Sequence, residues 1–245
     1  MKSPTRMRAD RLLVERGLFD SRAKAQAAID AGLVRAGDSV VRKPSEEIAV
    51  DAALDATPVH PYVSRGGVKL AAALDHFGFD PTDRVCLDVG ASTGGFTQVL
   101  IERGARRVYA IDVGRGQLHE SLRARPEVAS YEDTDIRACG PARFHATPNL
   151  VTVDVSFISL KLVLPPALRL VAHRSQFVAL IKPQFEAGPA LVKKGIVRDA
   201  AVHMAVCSDI SGFVGSLGWR VLGVIPSPIF GGDGNAEFLL GAVRD

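Results

Sequence analysis

The sequence predicts an α/β domain with a mostly parallel sheet, preceded by a small α+β domain. From about residue 64 onwards, apolar segments typical of strands alternate with helical segments, as in a sheet covered on both faces. The first of these strands, residues 85–89, runs directly into a glycine-rich loop, which is the usual ligand-binding turn of such sheets. Residues 1–60 instead predict two short helices followed by a strand, a turn and a strand.

Size and composition are those of a globular protein. The chain has 245 residues, of which 47% are hydrophobic, enough for one small and one larger core. Its three cysteines, Cys86, Cys139 and Cys207, are widely spaced, which argues against a disulfide framework and a zinc site. We recognise no signal peptide and no apolar stretch near the ~18 residues of a membrane span. We therefore expect a cytoplasmic protein without a metal or a membrane partner.

The N-terminal region is basic and contains clear helix boundaries. Residues 1–43 carry ten Lys/Arg and five Asp/Glu, a local balance of +5. Gly17 closes the first predicted helix, and Asp20 or Ser21 caps the second. Gly32 ends this second helix, and residues 33–41 predict a strand, a turn and a second strand.

This unit resembles the S4 RNA-binding module. The resemblance rests on Arg11-Leu12, Ser21-Arg22-Ala23-Lys24-Ala25, Ala31-Gly32-Leu33-Val34 and Gly37. Basic side chains near the start of a helix attract phosphate, because the positive end of the helix dipole adds to their charge. The alternative to RNA binding is that these charges simply form a solvated helix face. The candidate RNA contacts are Arg8, Arg11, Arg22, Lys24 and, in the second domain, Arg65.

A linker at about residues 60–63 is predicted to separate domain 1–60 from domain 61–245. The second domain opens with Ser64-Arg65-Gly66-Gly67-Val68-Lys69-Leu70. Its predicted helices are residues 70–77, 96–103, 167–172 and 200–217. Its predicted strands are residues 85–89, 107–112, 150–155, 177–181, 219–225 and 237–243.

The glycine loop narrows the choice of cofactor. Its spacing, Gly90-x-x-x-Gly94-Gly95, is not the G-x-G-x-x-G of dinucleotide-binding folds, and no Lys-Ser/Thr follows as in a P-loop. The pattern from Asp88 to Phe96 instead resembles motif I of S-adenosylmethionine-dependent methyltransferases, which have a Rossmann-like fold. In that resemblance Asp112 binds the ribose hydroxyls of the cofactor and Asp135 contacts its adenine. The candidate residues for S-adenosyl-L-methionine are Asp88, Gly90, Ser92, Thr93, Gly94, Gly95, Phe96, Asp112 and Asp135.

Two classes of methyl acceptor can first be excluded. Exocyclic amino groups are usually methylated with an Asn/Asp-Pro-Pro-Tyr/Phe motif, but the corresponding segment here, Asp154-Val155-Ser156-Phe157, lacks the prolines. Methylation at carbon 5 of a pyrimidine needs a nucleophilic cysteine, and no cysteine follows a predicted strand in a suitable loop. His119 is expected to be an exposed helix residue rather than a base.

Four charged residues at the predicted strand ends and the opening helix, Lys69, Asp154, Lys182 and Glu237, resemble the catalytic tetrad of FtsJ-type ribose 2′-O-methyltransferases. Together with the S4-like module, they match the TlyA family of rRNA methyltransferases, which also carries the name hemolysin. Family members modify cytidines of both ribosomal subunits. The resemblance covers nearly the whole chain.

The tetrad has a chemical rationale. A ribose hydroxyl is a poor nucleophile until its proton is removed, and a free lysine, with a pKa of about 10.4, is a poor base at neutral pH. Burial and a neighbouring cation can leave such an amine partly neutral. We therefore expect Lys182 to be the base, oriented by Asp154. Lys69 would be the second cation, and Glu237 would hold Lys69 or the ribose.

Two other functions remain open. One is a non-catalytic RNA-binding protein that keeps a vestigial methyltransferase fold. The other is a membrane-acting hemolysin, which lacks support because no amphipathic pore segment or export signal is recognisable. The sequence leaves the target nucleotide, the ribosomal subunit and the oligomeric state undetermined.

Overall fold

The computed structural model describes residues 5–245, apart from the side chain of Asp233. Lys2, which belongs to the basic N-terminal excess, lies outside the described residues. The chain divides into two compact units between Pro61 and Tyr62.

The first unit contains two helices and five short strands. Its elements are β1 (Arg6–Arg8), α1 (Ala9–Glu15), α2 (Arg22–Asp30), β2 (Val34–Ala36), β3 (Ser39–Val40), β4 (Glu47–Ala49) and β5 (Leu54–Ala56). Strand β2 pairs with β3 and β5 in one antiparallel sheet, and β1 pairs with β4 in another. The two predicted helices and the hairpin are present. Strands β1, β4 and β5 are not predicted by the sequence, because strands of three residues are too short to show an alternating pattern.

The first unit has its own core. Leu12 and Leu13 of α1 pack with Ala25, Ala28 and Ile29 of α2, and all five are buried. Ser21 caps α2 by accepting a hydrogen bond from the backbone N–H of Lys24, which decides between the two predicted caps.

The second unit is built on a seven-stranded sheet. Its elements are α3 (Gly66–Phe77), β6 (Val85–Val89), α4 (Gly95–Glu102), β7 (Arg107–Ile111), α5 (Glu120–Arg123), β8 (Val128–Tyr131), β9 (Leu150–Val153), α6 (Leu160–Leu168), β10 (Ser175–Ile181), α7 (Pro183–Glu186), α8 (Ala200–Ser216), β11 (Arg220–Pro226) and β12 (Phe238–Arg244). The strand order is β11-β12-β10-β9-β6-β7-β8. Neighbouring strands from β10 to β8 are parallel, and β12 is antiparallel to both of its neighbours. The predicted α/β class with a mostly parallel sheet is confirmed.

Helices cover both faces of this sheet, as predicted. Leu70 and Leu74 of α3 and Leu100 of α4 belong to the core on one face. Helices α6 and α8 contribute to the core on the other face, for example through Leu164 and Ile210. Strand β6 lies between β7 and β9, so the chain reverses its direction of winding beside β6. Ligands of open α/β sheets bind at this switch point, outside the carboxyl ends of the strands.

One predicted helix, residues 167–172, is wrong. The helix is α6, which begins at Leu160 and contains Pro165 and Pro166. An interior proline costs about 3 kcal/mol in a helix. Both prolines lie on a partly exposed side of α6, however. The apolar residues recur at the i, i+3, i+4, i+7 and i+8 positions of a buried face. These residues are Leu160, Val163, Leu164, Ala167 and Leu168.

Candidate active site

The glycine loop joins β6 to α4 and crosses closely over the end of β9. Gly90 has a φ of +82°, and a Cβ atom added there would lie 2.2 Å from the carbonyl oxygen of Asp154. Gly94 has a φ of +98°, and an added Cβ would lie 2.4 Å from Leu122. Side chains at these two positions would therefore meet both backbone strain and a steric clash. Gly90 thus lets the loop approach the residues that follow β9, and Gly94 lets it approach Leu122 of α5.

Asp88 lies beneath the loop rather than in a cavity. Its side chain is fully buried, and its carboxylate accepts hydrogen bonds from Thr97 Oγ1 at 2.6 Å and Thr152 Oγ1 at 2.9 Å. Burial raises the pKa of Asp88 to about 7, although the two hydroxyl donors act in the opposite direction. The structure thus joins Asp88 to α4 and β9. Asp88 was expected to contact the cofactor, but it lines neither of the two cavities described below.

We predict that Asp88 makes stability depend on pH. The pKa of Asp88 is higher in the folded than in the unfolded protein, so the protonated carboxyl group favours folding. Its contribution to the free energy of unfolding is therefore lost as the pH rises from about 4 to about 7. The free energy of unfolding of Asp88→Asn, relative to the wild type, should therefore rise by about 3 kcal/mol between pH 5 and pH 8. Urea titrations of both proteins at the two pH values measure this difference. An equal difference at both values would contradict the prediction.

A cavity of about 480 Å³ lies at the carboxyl ends of β6, β7 and β9. Asp112, which follows β7, lines it, and its carboxylate accepts hydrogen bonds from the backbone N–H groups of Ser92 and Gly114, each at 2.7 Å. Asp135 also lines the cavity and holds Arg137 through its side chain and backbone. The Arg137 guanidinium lowers the pKa of Asp135, so this carboxylate is ionised at neutral pH.

The candidate cofactor residues of the loop are divided between two cavities. Gly90 and Ser92 line the first cavity and also a second one of about 270 Å³. Thr93, Gly95 and Phe96 line the second cavity. Gly94 lines neither cavity, since it faces Leu118 and Leu122.

The predicted lysine and carboxylate residues form two ion pairs. Lys182 directly follows β10, and its Nζ lies 2.6 Å from Asp154 Oδ1 and 2.8 Å from Ser156 Oγ. Lys69 of α3 pairs with Glu237, which precedes β12. Lys69, Lys182 and Glu237 are all buried, with at most 9% of each residue exposed. Such charges are tolerated inside a protein only when they are paired.

Three of the four residues share one cavity. Lys69, Asp154 and Lys182 line the second cavity, together with Ser64 and Arg65. Glu237 is not part of this lining and contacts Lys69 from the side of Gly231, where an added Cβ would lie 2.2 Å from Glu237 Oε1. Asp154 and Ser156 line both cavities, so the residues after β9 form the wall between them.

The candidate RNA contacts of the first unit surround a buried acid that the sequence analysis missed. Asp10 is fully buried and accepts hydrogen bonds from Arg8 at 3.1 Å, Arg22 at 2.6 Å and Gln26 at 2.8 Å. These hydrogen bonds lower the pKa of Asp10, with Arg8 making the largest contribution. The two arginine side chains stay 42% and 54% exposed. Asp10 therefore fixes one end of each guanidinium while other N–H groups remain at the surface.

The remaining basic candidates have different surroundings. Arg11 is exposed on α1, and Lys24 pairs with Asp20 at 2.9 Å. Arg65 belongs to the second unit, where it is exposed and lines the second cavity. The sequence predicts His119 as a residue within a helix, but it is instead the N-cap of α5. There it accepts a hydrogen bond from the backbone N–H of Ser121.

Comparison with known proteins agrees with this architecture. Residues 62–244 match the FtsJ-like methyltransferase family, and residues 7–53 match the S4 domain. The 16S/23S rRNA (cytidine-2′-O)-methyltransferase TlyA of Mycobacterium tuberculosis is 41% identical, covering 96% of this chain and 89% of its own length. The chain belongs to the TlyA family. It is thus a methyltransferase with an S4 domain, as the sequence predicted.

Other TlyA-family relatives carry two kinds of name. YqxC of Bacillus subtilis, named as an rRNA methyltransferase, is 47% identical over 95% of this chain and 84% of its own length. A solved structure from Streptococcus thermophilus, named as a hemolysin, has a TM-score of 0.78 and 40% identity. That comparison covers 99% of this chain and 90% of the other.

Proposed function

We propose that this protein is an S-adenosylmethionine-dependent ribose 2′-O-methyltransferase of ribosomal RNA. The observation that carries the proposal is the ion pair between buried Lys182, which lines the smaller cavity, and Asp154, which lies in the wall between the two cavities. A lysine in this position can take a proton from a hydroxyl group in the smaller cavity while the larger cavity holds the methyl donor. The names of the TlyA relatives support cytidines of the ribosomal subunits as targets.

The larger cavity fits S-adenosyl-L-methionine. Two acidic residues in its lining support this proposal: Asp112, which follows β7, would bind the ribose, and Asp135, which comes after β8, would contact the adenine. Each oxygen of Asp112 accepts one backbone hydrogen bond and keeps a further lone pair for a ribose hydroxyl. When bound, the cofactor supplies a methyl group on a positively charged sulfur, which a nucleophilic oxygen can take up.

The protein then has to activate the acceptor and hold it in line. In our proposal the O–H bond of the ribose hydroxyl breaks as a new N–H bond forms on Lys182 Nζ. Asp154 stabilises the resulting ammonium group. Lys69, held by Glu237, adds a second positive charge beside the developing oxygen anion. Alignment of the two reactants supplies most of the acceleration, since the methyl group is already activated.

The S4 unit is proposed to supply RNA affinity through Arg8, Arg11, Arg22 and Lys24, with Arg65 acting in the second unit. Affinity for RNA that does not depend on its sequence comes mostly from contacts between such basic side chains and the phosphates of the RNA. The target nucleotide would have to leave its stack to reach the smaller cavity. Because ribosomal RNA is the proposed substrate, we also propose that the protein acts in the cytoplasm.

Arg22→Ala is predicted to weaken RNA binding without changing the chemical step. Loss of one phosphate contact should lower the slope of log K against log[salt] by about 0.7 to 0.9 and raise KM for ribosomal subunits, while kcat stays the same. Filter binding at several salt concentrations measures the slope. Arg125→Ala is the matched control, because Arg125 is an exposed arginine of the second unit that pairs with Glu127. Equal slopes for Arg22→Ala and wild type would remove Arg22 from the RNA contacts.

The two alternative functions have less support. All four tetrad residues are present and paired, which disfavours a vestigial, non-catalytic fold. Within residues 5–245, no helix is long and apolar enough to cross a membrane. Lysis of erythrocytes by the purified protein without cofactor would favour the hemolysin alternative.

Transfer of tritium from methyl-labelled S-adenosylmethionine to separated ribosomal subunits tests the proposal. We expect label on the 2′ oxygen of a cytidine, located by digestion and mass analysis. Label on a base would contradict the assignment of the acceptor. No label on either subunit would contradict ribosomal RNA as the substrate.

A further inference from the structure

Ser156 provides a directed contact to Lys182 in the wall between the two cavities. Its Oγ lies 2.8 Å from Lys182 Nζ and accepts a hydrogen bond from it. Asp154 Oδ1 lies closer, at 2.6 Å, but this contact has the geometry of an ion pair rather than of a hydrogen bond. Of these two contacts, Asp154 therefore provides the charge and Ser156 the direction.

The side-chain nitrogen of a lysine, Nζ, is tetrahedral and has three positions for protons or lone pairs besides its bond to Cε. In the neutral amine two of them are N–H groups and the third is a lone pair. The hydrogen bond to Ser156 engages one N–H position and sets the rotation about the Cε–Nζ bond, so the other two positions have fixed directions and one of them can present the lone pair to the acceptor in the smaller cavity. Without Ser156 the amine could rotate about its Cε–Nζ bond, because Asp154 alone does not fix this torsion.

The loop that carries Ser156 is held at both ends. Residue Asp154 directly follows β9, and its backbone N–H donates to the carbonyl oxygen of Val89 at 2.9 Å. At the other end, Glu186 accepts hydrogen bonds from Ser159 Oγ at 2.6 Å and from the backbone N–H of Leu160 at 2.7 Å. Between them Phe157 has a φ of +63°, which is uncommon for a bulky residue. These hydrogen bonds restrain the chain on both sides of the exposed Ser156.

We propose that Ser156 is a positioning residue that directs Lys182 Nζ towards the ribose hydroxyl. This inference rests on the proposed function, in which Lys182 takes up the proton of that hydroxyl. It adds a fifth residue to the tetrad, one that acts through Lys182.

The test is a comparison of Ser156→Ala with Ser156→Thr, which keeps the hydroxyl group. We expect Ser156→Ala to lower kcat for ribosomal subunits by about 10- to 100-fold, as for a misaligned reactant, with KM and the cofactor Kd within about twofold of wild type. Ser156→Thr should retain most of kcat. In the Lys182→Ala background, Ser156→Ala should cause no further loss, because the two residues act as one unit.

Ser211→Ala serves as the matched control outside the two cavities. It removes a serine hydroxyl of α8 that donates to the carbonyl oxygen of Cys207, so we expect kcat near wild type. An unchanged kcat for Ser156→Ala, or a loss that multiplies with that of Lys182→Ala, would overturn the role of Ser156. Full activity of Lys182→Ala would instead overturn the role of Lys182 as the base, on which this inference rests. Absence of methyl transfer by the wild type would overturn the proposed function itself.

Discussion

Lys182→Ala is expected to lower kcat for methyl transfer by about 10²- to 10⁴-fold, the usual contribution of a general base. The variant removes the only group in our proposal that takes the ribose proton. Cofactor binding should persist, since Lys182 does not line the larger cavity. Single-turnover transfer of labelled methyl groups measures the rate, and calorimetry measures the cofactor Kd.

Two matched variants sharpen this experiment. Lys182→Arg keeps the positive charge, but a guanidinium does not lose its proton in proteins, so this variant should be as slow as Lys182→Ala. Lys161→Ala removes a partly exposed lysine that pairs with Asp209 and should react at the wild-type rate. A fully active Lys182→Arg would show that the charge, rather than proton uptake, is what the reaction needs.

Glu237→Leu is expected to cost about 3–5 kcal/mol of stability, because it leaves the charge of Lys69 buried without its partner. The double variant with Lys69→Met should recover most of this loss, since well-packed apolar residues can replace a buried ion pair. The double variant should still transfer methyl groups slowly, because it lacks the second cation.

Urea titration gives the free energies of unfolding for this cycle, and the methyl-transfer assay gives the rates. The important comparison is between the single and the double variant, because both lack Glu237 but only the single variant retains the buried charge. If the two are equally unstable, the loss comes from packing around residue 237 rather than from Lys69.

Much of the fold could be predicted from local sequence. The parallel strands are short apolar runs separated by helices, and their order in the chain brings Asp112, Asp154 and Lys182 to one edge of the sheet. The pairing of Lys69 with Glu237 joins residues 168 positions apart, and here the family resemblance was needed.

Other features depend on tertiary contacts that no local pattern reveals. Asp10 is buried only because α1, α2 and β1 converge around it. In the sequence, a single acidic residue among basic residues looks like an ordinary surface residue. The position of Ser156 depends on the positive φ of Phe157. Helix α6 contains two prolines, and their local cost is offset by the buried face of the helix, which forms only against the sheet.

Strand β12 has a consequence for how the protein is made. It follows every other strand in the chain, yet it lies inside the sheet, between β10 and β11. While the chain is being synthesised from its N-terminus, β10 lacks this neighbour and Lys69 lacks its counter-charge until Glu237 and the residues after it have left the ribosome. The unpaired edge of β10 is a site where another nascent chain could add a strand. Completion of the sheet and assembly of the lysine site are therefore expected in one step, after β11 has been synthesised.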